Sequence, residues 1–95
     1  MEKRITSQEI SYYDNGVKEA YVLYTIVGKT LTVTKTYTSD NLRGRGIARM
    51  LMDDVMSYAR KNGYHVEATC SYAIEYLEKL KDIDDIIDDM IDLDL

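Results

Sequence analysis

Proline, tryptophan and phenylalanine are absent from this 95-residue chain, and cysteine and histidine occur once each. A lone cysteine excludes an internal disulfide, which fits a reducing compartment and a cytoplasmic location and leaves Cys70 as a free thiol. One Cys and one His do not make a metal site, so no metal is expected. Nine tyrosines are then the only aromatic side chains, and most of them must serve the core. No apolar run is long enough to span a membrane. No apolar segment follows Met1-Glu2-Lys3-Arg4, so no signal peptide is expected. The excess of positive charge that nucleic-acid binding needs is also missing, since the net charge is −5.

What is present suits one small folded domain: 45% of the residues are hydrophobic. The charge is uneven. Residues 82–95 hold seven Asp and no Lys or Arg, which leaves a net +2 on residues 1–81. The acidic stretch repeats its apolar residues at helical period (Ile83, Ile86, Ile87, Met90, Ile91) and reads as an amphipathic helix of the same domain. It suits a packing element or lid, a dimer contact, or a face for a basic partner or substrate.

Arg4 to Tyr13 reads as a first strand. Asp14-Asn15-Gly16 is a hairpin signal, and Val17 to Val27 a second strand. Gly28-Lys29 turns the chain into a third strand, Leu31 to Thr38, with Leu31, Val33, Lys35 and Tyr37 alternating against threonines. From Gly44 to about Lys61 the period becomes helical, with Ile47, Leu51, Val55, Tyr58 and Ala59 on one face and Asn62-Gly63 as the stop. Tyr64 to Cys70 is a fourth strand, and Ser71 is the expected cap of a second helix reaching about Leu80, with Ala73, Tyr76, Leu77 and Leu80 inward. Strand, helix, strand at this length implies a right-handed crossover and a parallel pairing of strands three and four. The expected fold class is mixed α/β (α+β): an antiparallel three-stranded meander plus a parallel fourth strand, sheet order 1-2-3-4, with two to three helices.

The stretch Thr36 to Met52 carries the chemistry. Ser39-Asp40-Asn41 offers side-chain oxygens to free backbone donors. Gly44 and Gly46 bracket Arg45 at a helix start, where two glycines are costly unless something approaches the backbone closely. A helix start presents unpaired amides and the positive end of its dipole, which suits a phosphate. Arg43, Arg45 and Arg49 add cations that pair with phosphate in two-pronged fashion. The bland reading is a helix start with surface arginines. Cys70, at a strand end and just before a helix N-terminus, sits where a thiolate is favoured; the alternative is a small buried hydrophobe. Tyr72 and Tyr76 are candidate acids on the second helix, or core aromatics. His65 lies on the strand face opposite Cys70 and reads as a surface residue.

Arg43-x-x-Gly46-x-Ala48, at the end of a strand and the start of a helix, resembles the acetyl-CoA-binding signature of the GNAT superfamily of N-acetyltransferases. The wider pattern, Thr-Tyr-Thr-x-x-x-Leu-Arg-Gly-Arg-Gly-Ile-Ala, then Tyr-Ala-Arg-x-x-Gly, then Cys-Ser-Tyr-Ala, looks like the small stand-alone GNAT-like proteins of about this length. The resemblance is best from Leu31 to Leu80. It implies a minimal acyl-CoA N-acyltransferase domain over residues 1–81, followed by the acidic helix at 82–95. It also implies that the pyrophosphate of acetyl-CoA sits on the loop Arg43, Gly44, Arg45, Gly46, Ile47, Ala48, Arg49, and that the pantetheine arm lies between the parallel strands against the backbone of Tyr37 and Thr38. The thioester would then face the end of the fourth strand, where an amine, small or lysine-borne, attacks it. Cys70, Tyr72 and Tyr76 are the candidate catalytic groups, Cys70 as acyl carrier or acid. The chain departs from larger relatives at several points: Cys70 stands where many carry Asn, Leu77 where many carry a tyrosine acid, and two helices after the first strand and a closing hairpin are missing. These departures keep a second reading open, a module that binds CoA or a partner without chemistry. The sequence does not decide between a monomer and a homodimer.

Overall fold

The computed structural model describes residues 1–80; the acidic stretch 82–95, and with it the expected third helix, lies outside the described residues. Five strands form one sheet in the order β1-β2-β3-β4-β5. They are β1 (Glu2–Ile5), β2 (Glu9–Asp14), β3 (Val17–Val27), β4 (Thr30–Thr38) and β5 (His65–Ala68). Between β4 and β5 come a 3₁₀ turn (Asp40–Leu42) and helix α1 (Ile47–Asn62). Helix α2 follows β5 over residues 71–80. Strands β1 to β4 pair antiparallel and β4 pairs parallel with β5, as the crossover rule requires.

One expected strand is two. The run Arg4 to Tyr13 breaks at Thr6-Ser7-Gln8, where the Thr6 hydroxyl accepts from the amides of Gln8 (3.1 Å) and Glu9 (3.0 Å) and the Thr6 amide donates to the Glu9 carbonyl at 2.8 Å. A threonine that hydrogen-bonds its neighbours' amides offers the backbone an alternative to a ladder. The Tyr24 hydroxyl holds the Thr6 carbonyl from β3. The two halves fold on each other, with Arg4 opposite Ser11 and Ile5 opposite Ile10.

The core lies on one side of the sheet. Ile10, Val22, Leu31 and Val33 face α1, whose Ile47, Leu51, Met52, Val55 and Ala59 are buried against them. The helix ends as its sequence foretells: the Gly63 amide donates to the Arg60 carbonyl and the Tyr64 amide to that of Ala59, the paired closure that a left-handed glycine permits. Helix α2 lies beside α1, with Ala73 fully buried in the same cluster. It is capped by Cys70 rather than Ser71, because residue 71 is already helical and the Cys70 carbonyl accepts the Ile74 amide at 2.9 Å.

The alternation expected along β4 fails midway. Leu23 pairs with Lys35 and Tyr24 with Val33, so Thr34 has no partner on β3 and forms a bulge. An extra residue inverts the faces beyond it. Leu31 and Val33 stay inward, but Lys35 and Tyr37 move to the face away from α1 and Thr36 and Thr38 take their place. The Tyr37 ring stacks there on Tyr21, centroids 5.2 Å apart.

A core confined to one face makes a direct prediction. Leu51→Ala will lower the unfolding free energy by about 3 kcal/mol. Val27→Thr, on the outer face at 78% exposure, will change it by about 0.5 kcal/mol or less. Urea titration reads both.

Candidate active site

The parallel pairing of β4 and β5 runs from Thr30–His65 to Val33–Ala68 and then stops. The Val33 carbonyl accepts both the Thr69 amide (2.9 Å) and the Cys70 amide (3.5 Å). Past this point β4 continues to Thr38, while the chain after β5 turns into α2. The strands therefore part into a wedge, and the Thr34 bulge sits at its apex. Cys70 and Thr36 face each other across it, Sγ and Oγ1 3.6 Å apart.

At the far end of β4 lies the glycine loop. Gly44 and Gly46 both have left-handed backbones, with φ of 79° and 75°, and Gly46 is the N-cap of α1. A Cβ on either would meet no protein atom within 4 Å, so the glycines answer a backbone demand and leave open space before them. Glycine at the cap brings no side-chain acceptor, and the first turn of α1 carries no acidic residue. The amides of Ile47, Ala48 and Arg49 therefore lack helix partners. The expected side-chain bonds from Ser39 do not form at the preceding turn; its carbonyl instead takes the Leu42 amide at 3.0 Å.

Thr38, Arg43, Gly44, Gly46, Ile47, Ala48, Arg49 and Tyr72 line one cavity of about 250 Å³. Cationic charge surrounds it unequally. Arg43 is exposed, pairing at the surface with Asp40 at 3.2 Å and donating to the Thr38 carbonyl at 3.3 Å. Arg45 is exposed on the loop. Arg49 lines both this cavity and the neighbouring groove between α1 and α2. The Ile47 side chain is core, so what it offers the cavity is its amide. Tyr37 turns its ring to the other face, so it too borders the wedge with backbone alone.

Cys70 is half-buried. Partial burial pushes its thiol up, but hydrogen bonds outweigh that: from the backbone amides of Ala73 and Tyr72 in the first turn of α2, and from the hydroxyl and backbone of Thr36. The net result is a thiol below its ordinary value. This is an N-cap geometry with sulfur as the acceptor. Tyr72 is exposed between the loop cavity and the α1–α2 groove. Tyr76 borders only the groove of these two; its hydroxyl donates to Asp53 Oδ1 at 2.5 Å. Burial first, then that bond and the Asp53 charge, push the phenol up to about 12. His65 is exposed on β5, 3.6 Å from Glu67. Among the described residues no group of three His, Cys, Asp or Glu side chains could hold a metal ion.

Two participants were not visible in the sequence. Thr36 reaches Cys70 only because the bulge inverts its face, and no glycine or proline marks a bulge at Thr34. Asp53 reads as one of many exposed helix acids until α2 is laid beside α1.

The domain is a mixed α/β sheet whose parallel pair splays at a bulge, with a helix N-terminus at each end of the opening. The chain belongs to the GCN5-related N-acetyltransferases, whose family model matches residues 9–86. A GCN5-like protein of Staphylococcus aureus is 28% identical, with a TM-score of 0.69 over 85% of this chain and 81% of that one. The ribosomal-protein-S18-alanine N-acetyltransferase of Escherichia coli shares the fold at 17% identity and TM-score 0.65, over 81% of this chain and 54% of the enzyme. The PaiA N-acetyltransferase of Thermoplasma acidophilum, solved with coenzyme A, shares it at 10% identity and TM-score 0.61, over 75% of this chain and 48% of the enzyme. The chain thus spans most of the staphylococcal protein and about half of the two larger enzymes. A comparison with curated proteins finds no match.

Thr36→Val keeps the shape at the wedge and removes the hydroxyl that favours the thiolate. The midpoint of Cys70 alkylation by iodoacetamide will lie below that of the urea-denatured chain in the wild type, and Thr36→Val will raise it.

Proposed function

We propose that the protein transfers an acetyl group from acetyl-CoA to an amine, by way of Cys70. The observation that carries this reading is the wedge, with a free thiol at its inner end and uncapped amides at its mouth. Those amides, with Arg45 and Arg49, suit the diphosphate of CoA, since a helix N-terminus favours anions and arginine pairs with phosphate in forked fashion. The stretch of β4 left without a β5 partner suits an extended pantetheine arm laid in as a strand. The PaiA neighbour was solved with coenzyme A, which agrees with this use of the fold.

The Cys70 thiolate attacks the thioester carbonyl. A bond forms from Sγ to the acetyl carbon, and the bond from that carbon to the CoA sulfur breaks with its electron pair. Tyr72, two residues along the chain from Cys70, gives the departing sulfur a proton and regains one from solvent. The nitrogen of the amine then attacks acetyl-Cys70 and loses a proton to solvent, and Sγ leaves as a thiolate. The amides of Tyr72 and Ala73 favour that thiolate in both steps, so one pair of donors serves nucleophile and leaving group alike. A phenol pushed up to about 12 and already donating to a carboxylate makes Tyr76 a poor proton donor.

Incubation with acetyl-CoA and no amine, followed by intact mass and peptide mapping, will find one acetyl group on Cys70. Cys70→Ser will abolish the label while leaving CoA affinity unchanged by calorimetry. Arg49→Glu, which alters no backbone requirement, will weaken CoA binding by about tenfold, roughly 1.4 kcal/mol. Tight CoA binding with no acetyl on Cys70 and no transfer to any amine tested would support the non-catalytic module instead.

A further inference from the structure

Tyr76 is one helical turn beyond Tyr72 on α2, and it is joined to α1 by its hydrogen bond to Asp53. Cys70 is the N-cap of α2, its carbonyl taking the Ile74 amide at 2.9 Å, so its side chain stands at the first-turn amides of Tyr72 and Ala73. Ala73 is fully buried in the core, and the Tyr76 ring packs against the same cluster. Apolar packing has no direction and leaves a helix free to slide or rotate; a directional bond one turn beyond Tyr72 fixes it. We propose that the Asp53–Tyr76 bond is a positioning device, which locks α2 against α1 and so keeps the Tyr72 and Ala73 amides on the Cys70 sulfur.

The proposal rests on the reading of Cys70 as a working thiol, and it deepens that reading by giving Tyr76 a role that needs no contact with substrate. It also makes a sign distinction. Besides partial burial, the groups that set the acidity of Cys70 are the Ala73 and Tyr72 amides from α2 and the Thr36 hydroxyl and amide from β4; among the described residues no charged side chain on β4, β5, α1 or α2 is one of them. If Asp53 acted on the sulfur through its charge, removing the carboxylate would make the thiol more acidic. A lock predicts the opposite, because the loosened helix withdraws its donors.

The test uses the full chain without CoA or amine, and reads the midpoint of Cys70 alkylation by iodoacetamide against pH. Tyr76→Phe and Asp53→Ala will each raise the midpoint by about half a pH unit or more toward that of an unstructured thiol, and the double variant will raise it no further than either single one. Asp53→Asn, which keeps a carbonyl acceptor for the Tyr76 hydroxyl, will restore most of the wild-type value. An unmoved midpoint in natively folded Tyr76→Phe, or a lowered one in Asp53→Ala, would overturn the lock. Tyr76→Phe removes one oxygen from a half-buried ring and provides the folded comparison if Asp53→Ala is unstable. Because no acetyl donor is present, the result is independent of whether acetyl transfer is found.

Discussion

Strands β4 and β5 part company where Thr34 bulges out of register with β3. Had the ladder continued, the edge of β4 would be satisfied by β5 and nothing could enter between them. The bulge has two effects at once. It ends the pairing at Val33 and Ala68, and it turns Thr36 to the side where Cys70 lies. The opening and the polar partner of the sulfur therefore come from one extra residue in one strand. The core that holds this in place is built from the inner half of β4, Leu31 and Val33, packed beneath α1.

The two helices share an electrostatic logic. Each begins at the wedge, and each begins with amides that the helix itself cannot satisfy. At α1 the cap is a glycine, so the donors face a cavity ringed by arginine. At α2 the cap is a cysteine, so the donors fall on a sulfur. Negative charge is thus favoured at both ends of the opening, which suits the proposed diphosphate at the mouth and a thiolate within. Outer faces contribute little to this. The tyrosines and lysines there stack among themselves, as Tyr21 does with Tyr37, and the opposite face carries the load of folding.

Most of the architecture was legible from residue order. Periodicity placed α1, the Asn62-Gly63 stop placed its end, and the strand-helix-strand spacing gave the parallel pair, because each is a local rule acting over a few residues. Gly44 and Gly46 marked the start of α1 equally plainly, and both take the left-handed backbone that glycine permits. Three features were hidden. The Thr6 turn divides what looks like a continuous strand, because threonine is both a good strand former and a side-chain acceptor. The bulge carries no glycine or proline, so an unbroken alternation of Leu31, Val33, Lys35 and Tyr37 put Thr36 on the wrong face. The cap of α2 fell to Cys70 instead of Ser71, a shift of one residue that turns a neighbour of the sulfur into its ligand. In each case a tertiary or side-chain bond decided between local options of similar energy.

Amide resonances followed by NMR during titration with coenzyme A test the wedge most directly. The account predicts the largest shifts at Thr36 to Thr38, at Gly44 to Arg49 and at Cys70 to Ala73, with the outer-face strand residues Lys18 and Val27 unmoved. Saturable shifts centred on the outer face of the sheet, or none at the glycine loop, would contradict it.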